Sequence, residues 1–345
     1  MFVFEYQIEE GKAFNNPVER ASVQGKERLV ALNASDGKEA WNHEYDCPYN
    51  ISYPSGPRCT PAIDGDRVYI LGSEGDLRCL KIDDGELVWQ KSLKRDLSAE
   101  VPLWGFAAHP LVDGDLLYTM VGGDGQGVVA FDKMTGEVRW KALDSNAGYC
   151  PPSIIEHGGT RQLIVFHPQA VVSLNPANGS EHWSIPIEPN YEMSICRPMI
   201  SGDFLYASGL GNNSVMIKLN SEMPGAKELW RGELRTSVFS ANATPLFVDG
   251  LLYGSDCQVG KFFAVDGKDG NPPLHSQPLV RDGLNEAGLV IDAVSIRSHP
   301  LPPIISDRAM TVENDDGQRD ADDEVESGWQ FDIDCHWITV SPSWM

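Results

Sequence analysis

Basic residues are scarce in this 345-residue chain. Lys and Arg number 27 against 50 Asp and Glu, a formal net charge of −23. Phosphate recognition needs clustered cations, so nucleic acid is excluded as the main partner. No run of about 18 apolar residues occurs, which excludes a membrane-spanning helix. The seven cysteines contain neither a Cys-x-x-Cys pair nor two adjacent residues. That spacing supports no zinc or thioredoxin-type site, and no metal is expected. Their odd number, in a chain long enough for a large core, argues against a disulfide framework. Amphipathic helical periodicity is missing too. The first residues, Met1-Phe-Val-Phe-Glu-Tyr-Gln, lack the basic leader and long apolar run of an export signal. The expectation is either a cytoplasmic protein or a chain without its true start.

What is present is globular. Apolar residues make up 41% and charged residues 22%, which excludes wholesale disorder. The 33 Gly and 23 Pro carry no collagen-like period and point to many turns between short strands. The charge is uneven: residues 307–334 hold eleven acidic and two basic side chains, the pattern of a solvated acidic tail.

A segment ending in Trp recurs: ALNASDGKEAW (31–41), CLKIDDGELVW (79–89), AFDKMTGEVRW (130–140) and SLNPANGSEHW (173–183). A fifth copy, KLNSEMPGAKELW (218–230), has two extra residues, and a sixth, AVDGKDGNPPL (264–274), ends in Leu274. The end positions lie 48, 51, 43, 47 and 44 residues apart. Upstream, Pro is followed by a turn and then Tyr eight residues on: PAIDGDRVY (61–69), PLVDGDLLY (110–118), PMISGDFLY (198–206) and PLFVDGLLY (245–253). The copy at Pro152 carries an insertion and ends in LIVF without the Tyr.

These patterns translate into strands. PAI and RVYILG are short β-branched and aromatic runs split by a tight Asp-Gly turn. LRCLKI alternates in period two, Asp-Gly follows where positive φ is needed, and ELVWQKSL gives a fourth strand. Each unit of about 47 residues is therefore a four-stranded antiparallel meander, and that repeat specifies an all-β propeller of about six recognisable blades. Trp41, Trp89, Trp140, Trp183 and Trp230 are predicted to dock neighbouring blades. Two residues before each Pro sit Cys59, Ala108, Cys150, Cys196 and Ala243. There the blades converge and only small side chains fit.

The ends depart from the pattern. Phe2–Gln7 aligns with the second strand of a blade, so the first blade is predicted to lack its innermost strand. Residues 1–276 are predicted to form the propeller, 277–306 a degenerate blade or extension, and 307–345 an acidic, largely disordered tail. GWQFDIDCHWITV, from Gly328, alternates as a half-buried strand would. An unclosed propeller would expose edge strands.

The A-x-D-x-x-T-G-x-x-x-W pattern, closest in AFDKMTGEVRW, resembles the PQQ-like repeat of the quinoprotein-like propellers. YDCPYNISYPSGPRCTPAIDGDRVYILGSEGDL and PLWGFAAHPLVDGDLLYTMVGG are similar to exported bacterial propellers of the BamB-like kind. The resemblance runs from residue 2 to about 270. It implies seven or eight blades and a periplasmic or exported location, against six visible units and no export signal. It also implies two functions. One is a non-catalytic scaffold that binds a protein or other macromolecule on its faces, without cofactor. The alternative is a quinoprotein alcohol dehydrogenase, acting for example on a polymeric alcohol such as polyvinyl alcohol, with PQQ and calcium at the propeller axis. Such an enzyme needs an aromatic floor, cationic donors for the quinone carboxylates, calcium ligands and a carboxylate base. Neither calcium ligands nor a base can be assigned by motif, and the adjacent-cysteine disulfide common in these enzymes is missing.

An axial site has candidate residues. Those just before each Pro, Thr60, His109, Pro151, Arg197 and Thr244, are predicted to flank the central channel. Arg58, Trp104, Tyr149 and Asn242 lie nearby. Arg58 and Arg197 are candidates for an anion and Trp104 for stacking on a flat ligand; alternatively Trp104 is a core aromatic and His109 a hydrogen-bonded channel residue. Gly123-Asp-Gly-Gln-Gly127 precedes a strand and not the helix that a phosphate loop requires. The loop from Asn314 matches a calcium loop only in part. Five Asn-x-Ser/Thr sequons, at Asn33, Asn50, Asn178, Asn212 and Asn242, bear only on a glycosylating route. No Ser-His-Asp arrangement is identifiable. A monomer is expected.

Overall fold

Each Trp-ending segment runs from the third strand of an antiparallel sheet through a turn, and its Trp lies on the outer strand. The computed structural model describes residues 1–10, 18–211, 213–232, 237–256 and 261–271. By compactness the chain divides into residues 1–286 and 287–345, and all described residues belong to the first unit. The predicted extension at 277–306, the acidic tail from 307, the strand from Gly328, the loop at Asn314 and the sequon at Asn212 lie outside the described residues.

Blade 1 contains β1 (Phe2–Glu10), β2 (Ala21–Leu32), β3 (Glu39–Asp46) and β4 (Tyr49–Ile51). Blade 2 contains β5 (Ala62–Asp64), β6 (Arg67–Leu71), β7 (Asp76–Lys81) and β8 (Leu87–Ser92). Blade 3 contains β9 (Leu111–Asp113), β10 (Leu116–Met120), β11 (Val128–Asp132) and β12 (Val138–Ala142). Blade 4 contains β13 (Ser153–His157), β14 (Thr160–His167), β15 (Ala170–Leu174) and β16 (Glu181–Pro186). Blade 5 contains β17 (Met199–Ser201), β18 (Phe204–Gly209), β19 (Asn213–Leu219) and β20 (Ala226–Arg231). In blade 6, β21 (Leu246–Val248), β22 (Leu251–Asp256) and β23 (Lys261–Asp266) are described. Blades 2 to 5 each pair their strands in chain order. A four-residue helix, α1 (Leu93–Asp96), is capped by Ser92. The chain is thus an all-β propeller of antiparallel blades.

Blade 1 is built differently. Phe2 pairs with Ala31 and Ala31 with Trp41, as Tyr69 pairs with Cys79 and Cys79 with Trp89 in blade 2. So β1 holds the second-strand position, and among the described residues no strand pairs with its other edge. β4 continues the outer side of the sheet by pairing with the start of β2.

The ladder shifts register immediately before each Trp. Ala31 faces Trp41 while Leu32 faces Glu39, leaving Ala40 unpaired. The same skip falls at Val88, Arg139, His182 and Leu229. A bulge adds twist and re-aims the next side chain. In four blades the indole then lies against the third-to-fourth turn of the following blade. Trp41 donates Nε1–H to the Ile82 carbonyl at 3.0 Å, Trp89 to Lys133 at 2.9 Å, Trp140 to Pro176 at 3.0 Å and Trp230 to Gly267 at 3.0 Å. The turn glycine makes room. At Gly85, with φ +73°, a Cβ would lie 2.5 Å from the Trp41 ring, so only glycine allows this approach.

The second-strand aromatic braces the indole from within its own blade. Ring centroids are 5.5 Å apart for Phe2–Trp41, 6.1 Å for Tyr69–Trp89, 5.7 Å for Tyr118–Trp140 and 6.0 Å for Tyr206–Trp230. Tilted pairs at this separation add stabilisation beyond area burial.

At the hub Cys59, Ala108, Cys150 and Cys196 are buried. The thiols contact the backbone of the next blade: Cys59 Sγ approaches the Phe106 carbonyl at 3.6 Å, Cys150 the Cys196 carbonyl at 3.6 Å and Cys196 the Ala243 carbonyl at 3.3 Å. The five described cysteines, Cys47, Cys59, Cys79, Cys150 and Cys196, are buried.

Candidate functional site

Strand direction separates two faces. The fourth strand of one blade and the first strand of the next meet at the same end as the second-to-third turns. All the long crossovers therefore gather on one face. The short Asp-Gly turns and the turns that receive the tryptophans lie on the other.

The crossovers are laced together. Arg20 donates to the Asn50 and Val101 carbonyls, both at 2.8 Å. Ser52 N–H donates to the Leu103 carbonyl at 2.8 Å, Phe106 N–H to Ser73 at 2.9 Å and Tyr149 N–H to Ser194 at 3.2 Å. Asn146 Nδ2 donates to Glu192 Oε1 at 2.7 Å. Tyr191 and Glu192 both take left-handed backbone, φ +56° and +60°. That conformation is strained for residues with a side chain, and it leaves Tyr191 70% exposed.

Trp104 and Tyr149, from consecutive crossovers, meet edge to face with centroids 5.6 Å apart. Trp104 is half-buried and Tyr149 buried. Burial, with the Glu192 charge acting the same way, pushes the Tyr149 phenol up to about 12. Arg58 faces its own loop: its guanidinium donates to the carbonyls of Ser52 at 3.0 Å, Tyr53 at 2.6 Å and Gly56 at 3.2 Å. Asn242 is exposed on the crossover into blade 6.

Toward the hub, some of the residues that precede the first strands come together. Arg197 N–H donates to Thr244 Oγ1 at 3.3 Å. Thr60 and Thr244 are exposed, and His109 and Pro151 are half-buried. His109, Pro151 and Arg197 line one cleft of about 290 Å3 together with Leu111, Asp113 and Ile154. Burial lowers the His109 pKa, and the Arg197 charge lowers it further, so the ring is neutral near pH 7.

Sequence reasoning missed one cluster. Glu27 is fully buried. It accepts hydrogen bonds from Tyr45 Oη, from Tyr49 Oη at 2.6 Å and from the Ser73 backbone N–H at 2.8 Å. The carboxyl thereby joins blade 1 to blade 2. Burial raises its pKa more than these bonds lower it. The signal was available: Val23, Gly25, Glu27, Leu29 and Ala31 share one face of β2, and all are buried.

Among the described residues, the parts a PQQ–calcium pair requires do not assemble on this face. Arg58 is committed to carbonyls, and Trp104 is held edge to face with Tyr149. Among the described residues no three His, Cys, Asp or Glu side chains cluster as a metal site would. Among the same residues no helix is long and apolar enough to cross a membrane.

Comparison with known proteins gives one family. Residues 25–272 match the family described as outer membrane protein assembly factor BamB. A Vibrio cholerae protein named outer membrane protein assembly factor BamB is 33% identical over 121 residues, covering 34% of this chain and 30% of that protein. The match thus spans less than a third of that curated relative. Among solved structures, BamB from Moraxella catarrhalis superimposes with TM-score 0.53 at 18% identity, covering 80% of this chain and 78% of that one. That likeness concerns the fold alone. A europium-containing methanol dehydrogenase superimposes with TM-score 0.45 at 15% identity, covering 80% of this chain and 69% of the other. A superposition that loose carries no functional weight.

Proposed function

The chain belongs to the BamB-like family of PQQ-repeat propellers, and from that premise we propose that it is a non-catalytic platform whose crossover face binds a protein partner in outer membrane protein assembly. The observation that carries this reading is the laced crossover face. Arg20, Ser52, Asn146 and Tyr149 fix loops of consecutive blades to one another. Tyr191 is held outward by two successive left-handed residues. A rigid exposed aromatic on a preorganised surface offers apolar contact at low entropic cost, as interface anchors do. Fold alone does not define function, so the reading rests on this face and on the family. In this reading the chain works as a monomer at the outer membrane.

A photo-crosslinking side chain placed at Tyr191 or Trp104 in the full chain tests it. Specific adducts with an envelope protein are expected from both positions. None is expected from Met134 or Met223, which are exposed on the opposite face. Adducts from the opposite face alone would overturn the reading. So would reduction of a dye by an alcohol once purified protein is mixed with PQQ and Ca2+.

A further inference from the structure

Arg197 stands out among the cations of a strongly acidic chain. Its backbone N–H meets Thr244, but among the described residues no carboxylate or carbonyl meets its guanidinium. Most cations of the blades are engaged: Lys133 with Asp64 at 2.5 Å, Arg161 with Asp113, Lys218 with Asp203 at 2.9 Å and Lys94 with Glu74 at 2.8 Å. Arg197 instead borders the hub cleft of about 290 Å3.

The walls of that cleft divide by chemistry. Leu111, Pro151 and Ile154 are apolar, while Arg197 and His109 supply polar groups. Asp113 is the acidic residue on the lining, and it is paired with Arg161. The cleft therefore offers one fork-shaped cation, one imidazole and an apolar wall.

We infer that this cleft binds a carboxylate on a short apolar stem, with Arg197 accepting the charge, His109 contacting the same group and Pro151 and Ile154 packing on the stem. A guanidinium matches carboxylate geometry with two parallel hydrogen bonds. The volume suits a group the size of one amino-acid residue, so the carboxylate belongs either to the end of a polypeptide or to a free small acid.

Binding has a built-in reporter. The charged groups facing His109 across the cleft are Arg197 and Asp113, and Arg161 holds Asp113. An anion on Arg197 offsets the positive charge that, after burial, helps keep His109 neutral, so occupancy raises the His109 midpoint.

The full-length protein is titrated by NMR of its histidine rings, with His109 assigned by its loss in His109→Gln. The probes are N-acetyl-Ala-Leu with a free carboxylate, the same peptide as its carboxamide, and butyrate. The free acid is expected to saturate and raise the His109 midpoint, and the carboxamide to bind at least about tenfold more weakly, in line with loss of a charge-assisted contact. Arg197→Gln should abolish the effect, and Arg197→Lys should keep the shift at reduced affinity. Butyrate that saturates at the same concentration as the peptide acid upholds the site and assigns it to free acids. Butyrate that is much weaker upholds it and assigns it to polypeptide ends. Equal behaviour of acid and carboxamide, or wild-type binding by a folded Arg197→Gln protein, overturns the inference. Arg197 is exposed, and a thermal melt of each variant confirms folding.

Discussion

Trp183 donates its indole N–H to Gln162 Oε1 of its own blade at 3.0 Å, whereas Trp41, Trp89, Trp140 and Trp230 each donate to a carbonyl of the next blade. The cause lies one blade further on. The turn that would receive Trp183 carries two extra residues, and the nearest neighbour of a Cβ on its Gly225 is Asn220, not an indole. Blade 4 also has Ile164 where the other blades have an aromatic, since Ile164 faces Ser173 and Ser173 faces Trp183. Gln162 fills the polar role, accepting from Ser173 Oγ at 2.7 Å as well and donating to the His157 carbonyl at 2.9 Å.

Gln162→Leu removes the acceptor for two buried donors at once. An unsatisfied buried donor costs about 1–3 kcal/mol, so a loss of about 2–4 kcal/mol is expected by urea denaturation. A loss below about 0.5 kcal/mol would show that Trp183 finds another acceptor.

The glycine beneath each docking indole makes a second prediction. At Gly136, φ is +71° and a Cβ would lie 2.7 Å from the Trp89 ring. Gly136→Ala should destabilise by about 1–3 kcal/mol, since backbone strain and overpacking act together. Trp89→Ala should cost about 3–5 kcal/mol. The double variant should lose less than the sum, because the alanine no longer meets a ring. Strict additivity would contradict the contact.

Glu27 gives a pH prediction. Its carboxyl is buried and its pKa lies above the ordinary value near 4.5. The folded state therefore holds the proton more tightly than the unfolded chain. The resulting stabilisation is full below the unfolded value and is lost as pH rises through the folded one, at up to about 1.4 kcal/mol per pH unit. Glu27→Gln should flatten the fall in unfolding free energy above pH 4.5. Its amide oxygen can still accept from Ser73 and its amide nitrogen can donate to a tyrosine. Parallel pH profiles of wild type and variant would refute a proton held by Glu27.

The buried thiols should be chemically silent. Burial pushes the Cys150 thiol up to about 12 and the Cys79 thiol to about 11, and only thiolates react readily. Of the five described cysteines none should label with a thiol reagent at pH 8 in the native state, and all should label in urea. Cys150→Ala should cost little, while Cys150→Leu should lose about 1–3 kcal/mol by overpacking the hub. Rapid native labelling at Cys59, Cys150 or Cys196 would mean an open hub.

Much of the architecture was legible in the chain. Alternation in period two, turn glycines and a Trp every 43–51 residues are local features, and local features fix where strands begin, end and face. The placement of Cys59, Cys150 and Cys196 two residues before a proline likewise announced a crowded hub. Gln162, Glu27 and Arg58 were not legible as partners, because their hydrogen bonds depend on which side chain the fold delivers to which carbonyl or hydroxyl. Glu27 left a faint trace, an acid on the apolar face of β2.

The sequence by itself determined the unit, its period and its orientation, since a strand reads its neighbours two residues at a time. Only the tertiary structure decided which groups meet between units. His109 and Arg197 are 88 residues apart in the chain and share a cleft only because the first strands of consecutive blades converge at the hub. Arg58, equally basic on paper, faces its own loop because the carbonyls of Ser52, Tyr53 and Gly56 surround it there. Charge is written in the sequence, but its availability is set by the geometry of the nearest acceptor.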